Sequence, residues 1–151
     1  MTRILLVTGS RALEGSDREG EAKALLRATV ESFDPTIVVA GDARGPDEWA
    51  IEATMGLPIE TRIYGLDGYV RTAAGRDVRR WTEDEKVSPL DRNAAMVAEV
   101  AAQRDKGALV RVFALEALWS ATRGTAHTIA RAKEFGLEVT HVTFARERAR
   151  G

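Results

Sequence analysis

At 151 residues the chain fits one domain, large enough to bury a core without disulfides or a structural metal. The absence of cysteine excludes thiolate metal sites and thiol catalysis, and a net charge of −1, from 22 Lys+Arg against 23 Asp+Glu, gives no global attraction to nucleic acid or an anionic membrane. No apolar run approaches a membrane span, and the run Ile4-Leu5-Leu6-Val7 is too short for a signal-peptide core, so a cytoplasmic protein without a membrane partner is expected.

In chain order, Arg3 to Val7 reads as a strand, an aliphatic run stopped by Thr8-Gly9-Ser10. Residues near Glu19 to Phe33 carry Ala22, Leu25, Leu26, Val30 and Phe33 at helical spacing, with Thr29 on the same face, and Asp34-Pro35 ends the helix. Thr36 to Ala40 is a second strand. Gly45-Pro46-Asp47-Glu48 opens the next helix, with proline at its first position and acids in its first turn, and Gly56 closes it. Pro58 to Tyr64 gives a third strand. From Gly65 to Val87 no period survives, which reads as an insertion or a lid.

Ser88-Pro89-Leu90-Asp91 is a capping box, followed by an apolar set at Leu90, Ala94, Val97, Ala98 and Ala101. Leu109 to Leu115 is a fourth strand, a helix runs from about Thr125 to Phe135 and stops at Gly136, and Leu137 to Phe144 is a fifth strand. This alternation predicts an α/β fold, a three-layer Rossmann-like domain with a mostly parallel sheet of about five strands. Residues 1–144 form that single domain, with an irregular insertion around 65–87 and a charged tail at 145–151.

Four polar segments stand where strands end or helices begin, the places from which an α/β sheet gathers loops around one ligand. In Thr8-Gly9-Ser10-Arg11, Gly9 permits a sharp turn, Ser10 supplies a hydroxyl and Arg11 a planar cationic fork; an ordinary strand-to-loop turn is the alternative. In Gly41-Asp42-Ala43-Arg44-Gly45-Pro46-Asp47, the glycines Gly41 and Gly45 allow close approach of backbone to ligand. Asp42 and Asp47 suit ribose hydroxyls or a base amino group and Arg44 suits an anion, unless Asp47 only complements its own helix dipole.

Arg92 and Asn93 fall in the first turns of the capped helix, either aimed into the crevice above the strands or facing solvent. The helix after Arg123-Gly124-Thr125 has no acid before Glu134, so its free amides make the best phosphate cradle in the chain, with Thr125 as an N-cap the alternative. His127 and His141 form no recognisable metal pair, so no metal and no cofactor are expected; His127 is either an acid/base contact or a packing residue. There is no G-x-G-x-x-G and no Walker loop, which argues against a dinucleotide dehydrogenase or a P-loop NTPase.

In this order the segments resemble the SLOG superfamily of Rossmann-like nucleotide-ligand domains, and most closely its small single-domain YspA-like branch. The resemblance rests on Thr8-Gly9-Ser10-Arg11, on Gly41 to Asp47, on Arg92-Asn93 followed by Met96, and on Arg123-Gly124-Thr125-Ala126-His127-Thr128 leading into Ala132 and Gly136-Leu137-Glu138-Val139. It covers most of the chain outside residues 65–87. It implies a nucleotide or nucleotide-derived ligand across the carboxyl ends of the strands. In the related LOG enzymes, which remove the base from cytokinin-type nucleoside monophosphates, a Gly-Gly-x-Gly-Thr-x-x-Glu segment supplies a catalytic glutamate; Thr128 stands at that position here.

Two functional expectations follow. One is a binding module, a sensor or sequestering protein for a nucleotide-derived ligand. The other is an N-glycoside-cleaving or base-exchanging enzyme, phosphoribohydrolase-like or deoxyribosyltransferase-like, with Asp42 and Asp47 as candidate catalytic carboxylates and Arg92 and Arg123 holding phosphate. Single-stranded DNA binding, as in DprA relatives, is disfavoured by the charge balance and would have to use Arg71 to Arg80. Leu115, Leu118 and Trp119 form an apolar stretch open to a core role or a homo-oligomeric interface.

Overall fold

The computed structural model describes residues 1–67, 69–72, 77–79 and 87–146. Strands β1 (Arg3–Gly9), β2 (Ile37–Gly41), β3 (Glu60–Tyr64), β4 (Tyr69–Thr72), β5 (Asp77–Arg79), β6 (Leu109–Ala117) and β7 (Glu138–Phe144) form one sheet in the order β5-β4-β3-β2-β1-β6-β7. From β3 across to β7 the pairing is parallel throughout, whereas β4 and β5 pair antiparallel beside β3. The Rossmann-like layering therefore matches the alternation read from the sequence. The region expected to be irregular instead supplies two short strands; their alternation, Tyr69-Val70-Arg71-Thr72 and Asp77-Val78-Arg79, is too brief to register as a period.

Helices α1 (Glu19–Phe33) and α2 (Pro46–Thr54) cover one face of the sheet, and α3 (Pro89–Asp105) and α4 (Gly124–Glu134) the other. The central strand β1 divides its side chains between the two layers. Leu5 and Val7 pack with Leu26, Val30, Phe33 and Trp49, while Ile4 and Leu6 pack with Met96, Val97, Val100 and Ala132. A strand buried on both faces reads as a continuous aliphatic run, which is why Ile4-Leu5-Leu6-Val7 shows no alternation.

Two helix faces differ from the periodic reading. Leu25 was assigned to the inner stripe of α1 but is 37% exposed, since Ala22, Leu26, Val30 and Phe33 already complete that stripe. In α3 the buried face is Arg92, Asn93, Met96, Val97, Val100 and Ala101; Leu90 and Ala98 are exposed. The helix is rotated so that a polar pair, one turn ahead of Met96 and Val97, faces inward.

Helix ends obey local chemistry. Asp34 takes a left-handed conformation (φ 53°) and caps α1 just before Pro35. The Ser88 hydroxyl accepts from the Asp91 amide at 3.1 Å at the start of α3. Among the described residues, no helix is long and apolar enough to cross a membrane.

The chain runs β1 to β2 to β3 on one side and then returns to place β6 on the other side of β1. The starts of α2, α3 and α4 and the ends of the parallel strands consequently share one edge, where a topological switch point opens ligand crevices.

Candidate functional site

Three neighbouring strands end on or just before a glycine at this edge, Gly9, Gly41 and Gly65, and each glycine admits something a side chain would block. A Cβ on Gly41 would lie 2.7 Å from the Arg92 guanidinium carbon and 2.7 Å from Asp47 Oδ2. Arg92 arrives from α3 on one face of the sheet and Asp47 from α2 on the other. They meet over the end of β2 because that strand ends without a side chain.

Arg92 is 6% exposed, and its Nη1 and Nε are both engaged. Its Nη1 donates to Asp42 Oδ1 at 2.7 Å and to the Tyr64 carbonyl at 3.3 Å, and its Nε donates to Asn93 Oδ1 at 2.8 Å. The solvent-facing alternative for Arg92-Asn93 is thereby eliminated. The arginine expected to reach a ligand anion pairs with the protein's own Asp42, so a phosphate at this point would compete with a carboxylate already in place. Asp42 keeps 38% of its side chain exposed and accepts from the Leu66 amide at 3.4 Å.

Asp47 lies beneath it, 6% exposed, with Oδ2 accepting from the Ala43 amide at 3.2 Å. Burial pushes its pKa up to about 7; Arg92 and the Ala43 hydrogen bond pull it down, and Asp42 adds to the rise. Near neutrality the Arg92–Asp42 pair therefore sits over an Asp47 carboxyl poised between its two states.

This has a consequence for stability. Between the ordinary value of 3.8 and about 7 the folded protein binds the Asp47 proton while the unfolded chain has released it, so stability falls as pH rises through that window and levels off above it. Asp47→Asn removes the ionisation and keeps an oxygen for the Ala43 amide. The variant should melt at or above the wild-type temperature at pH 8 and lose most of the decline between pH 4 and pH 7, as read by thermal denaturation at a series of pH values. Retention of the full wild-type pH dependence in the variant would assign that dependence to another group.

The start of α4 abuts the same network, since a Cβ on Gly124 would lie 3.7 Å from Asn93 Nδ2. The N-cap of α4 is Arg123, not Thr125; no side chain caps the helix and no acid stands in its first turn. Thr125 is buried one residue inside the helix, and the Thr128 hydroxyl donates to the Gly124 carbonyl at 3.0 Å. The positive end of this helix dipole is thus left uncompensated by protein side chains. His127 is half-buried, and its Nδ1 has no partner among the described residues.

Other residues singled out from the sequence serve the frame. Ser10 N donates to Leu115 O at 2.9 Å and Ser10 Oγ accepts from Ala117 N at 3.0 Å, which ties the β1 loop to β6. Gly45 has φ +83°, and its Cβ position lies 3.4 Å from Arg11 Cα, so the β2–α2 loop packs against the β1 loop. Arg11 and Arg44 come together, away from Arg92, on a separate open cleft of about 520 Å³ that Trp119 and Arg146 also line. Leu115 belongs to the core, Trp119 packs against it half-buried, and Leu118 is 61% exposed.

Sequence reasoning missed Tyr64 and Gly65 at the end of β3. A Cβ on Gly65 would fall 2.6 Å from Asp67 Oδ1 and 2.7 Å from Arg71 Nη1, two side chains that form an ion pair. The available signal was the repeated strand-then-glycine ending. Of the Arg71 to Arg80 stretch considered for nucleic acid, Arg76 and Arg80 lie outside the described residues.

Comparison with protein-family models, with curated proteins and with solved structures finds no match to this chain.

Proposed function

We propose that the carboxyl edge of the sheet binds a nucleotide or nucleotide-derived ligand, and that the protein acts as a sensor or sequestering module for it. The observation that carries this reading is the juxtaposition of an uncapped, acid-free helix start at Gly124 with the Arg92–Asn93–Asp42 network. A phosphate suits the first, where amides and dipole favour negative charge. Ribose hydroxyls or a base amino group suit the second, because the exposed side of Asp42 accepts hydrogen bonds and repels anions. The resemblance of the four segments to the YspA-like branch of the SLOG superfamily supports the same ligand class. The test is thermal stabilisation by a panel of nucleosides, nucleoside monophosphates and nucleoside diphosphates. Stabilisation by phosphorylated members supports the reading, and none by any nucleotide or sugar phosphate overturns it.

A second reading is favoured by one observation. Asp42 is a partly exposed carboxylate oriented by a buried arginine, the arrangement needed to stabilise an oxocarbenium-like sugar centre during N-glycoside cleavage or base exchange. Asp47, in contrast, is buried behind Gly41 and is not offered to a substrate in the same way. Release of free base from nucleotides by the pure protein, abolished in Asp42→Asn, would establish the enzyme; no release leaves the binding module.

A further inference from the structure

Seven of the described arginines are neutralised by ion pairs within the protein. Arg18 pairs with Glu21, Arg62 with Glu60, Arg71 with Asp67, Arg92 with Asp42, Arg104 with Asp105, Arg111 with Glu138 and Arg131 with Glu134. Arg11, Arg44 and Arg146 have no ion-pair partner among the described residues, yet they come from three separate parts of the chain to line one cleft. Arg146 stacks over the Trp119 ring at 5.3 Å, which leaves the guanidinium charge uncancelled. Glu14 is the one acid lining the cleft among the described residues, so the group carries a net positive charge of two.

Three unpaired guanidinium groups facing one space repel one another, and an anion between them removes that repulsion while accepting planar, bidentate hydrogen bonds. The cleft adjoins the proposed phosphate position along the chain. Thr122 lines it and Gly124 opens α4, so the connecting backbone spans no more than about 7 Å. That reach fits adjacent phosphates of one ligand.

We propose that the cleft between Arg11, Arg44 and Arg146 holds the outer phosphate of a pyrophosphate-bearing ligand, such as a nucleoside diphosphate, whose inner phosphate sits at the start of α4. This rests on the nucleotide reading above and narrows it to ligands with more than one phosphate. Trp119, already stacked with Arg146, forms the wall of the cleft. The proposal also gives a use to a residue beyond the last strand, Arg146.

The experiment is calorimetric titration of the intact protein and of its Arg44→Ala/Arg146→Ala variant with a nucleoside diphosphate, its monophosphate and inorganic pyrophosphate. Both side chains lack carboxylate partners, so the variant keeps every ion pair named above. The wild type should prefer the diphosphate to the monophosphate. The variant should lose roughly tenfold or more in affinity for diphosphate and pyrophosphate and little for the monophosphate. An Arg27→Ala control, which removes an equally unpaired arginine on α1, should change none of these affinities.

Equal wild-type affinities for the mono- and diphosphate, or an undiminished preference in the variant, would overturn the proposal. Pyrophosphate bound by the wild type and lost in the variant, with no nucleotide bound at all, would support the cleft and sink the nucleotide reading. No pyrophosphate binding by the wild type would sink the cleft itself. Displacement of pyrophosphate by a short single-stranded oligonucleotide at far lower concentration would make the cleft a nucleic-acid surface and overturn the assignment.

Discussion

Gly9→Ala is expected to destabilise the protein by about 3 kcal/mol or more, at the upper end of what overpacking costs. The added Cβ would stand 2.4 Å from Pro46 Cγ, 2.5 Å from Pro46 Cβ and 2.8 Å from the Leu115 carbonyl oxygen. None of these atoms belongs to a flexible side-chain end. Pro46 is rigid and starts α2, and Leu115 O accepts the Ser10 amide in the centre of the sheet. Relief therefore requires α2 to shift away from β1, which would also carry Asp47 away from Gly41. Urea denaturation should show the midpoint falling with little change in slope, while Gly20→Ala, at a helical position with open space around it, should be neutral or slightly stabilising. A Gly9→Ala protein of wild-type stability would show that α2 is not held against the end of β1.

Arg92→Ala should cost about 3 kcal/mol, the low end for breaking a buried ion pair, because Asp42 retains access to water and is not stranded. The loss has three parts. The Tyr64 carbonyl and the Asn93 side chain each lose a donor, Asp47 loses the charge that holds its pKa down, and a void opens beside Gly41 at the end of β2. Because the arginine stem contributes packing as well as charge, Arg92→Met should recover part of the loss. Adding Asp42→Asn to Arg92→Ala should cost less than the sum of the two single substitutions, since the second change no longer breaks the pair. Strict additivity in that cycle would mean that the 2.7 Å contact contributes nothing to stability.

Element order, sheet type and most helix boundaries were legible because β1, β2 and β3 are short runs closed by Gly9, Gly41 and Gly65 and the helices carry proline or glycine at or near their ends. α1 was read at Glu19 to Phe33, the limits it has in the structure. What failed has specific causes. The β4 and β5 strands are four and three residues long, shorter than a period can establish. The inward turn of Arg92 and Asn93 was invisible to a search for apolar stripes, because burial there is secured by hydrogen bonds to Asp42 and Tyr64 rather than by hydrophobicity. Thr125 looked like a cap because threonine favours that position, but the cap lies two residues earlier, at Arg123. Arg146 carried no motif at all and Trp119 stood out only as part of an apolar stretch, so only tertiary structure brings them beside Arg11 and Arg44.

The central claim is that the start of α4 receives a phosphate. Arg123 is exposed, makes no side-chain capping bond and has no ion-pair partner among the described residues, so Arg123→Ala tests recognition without disturbing the fold. Titration of the wild type and the variant with a nucleoside monophosphate and the matching nucleoside is the most direct measurement. The account predicts that the variant binds the monophosphate more weakly by roughly 10-fold to 150-fold, the equivalent of one charged hydrogen bond, and binds the nucleoside as the wild type does. Equal losses for the two ligands would show that Arg123 does not read phosphate, and would contradict the assignment of phosphate to this helix and sugar to Asp42.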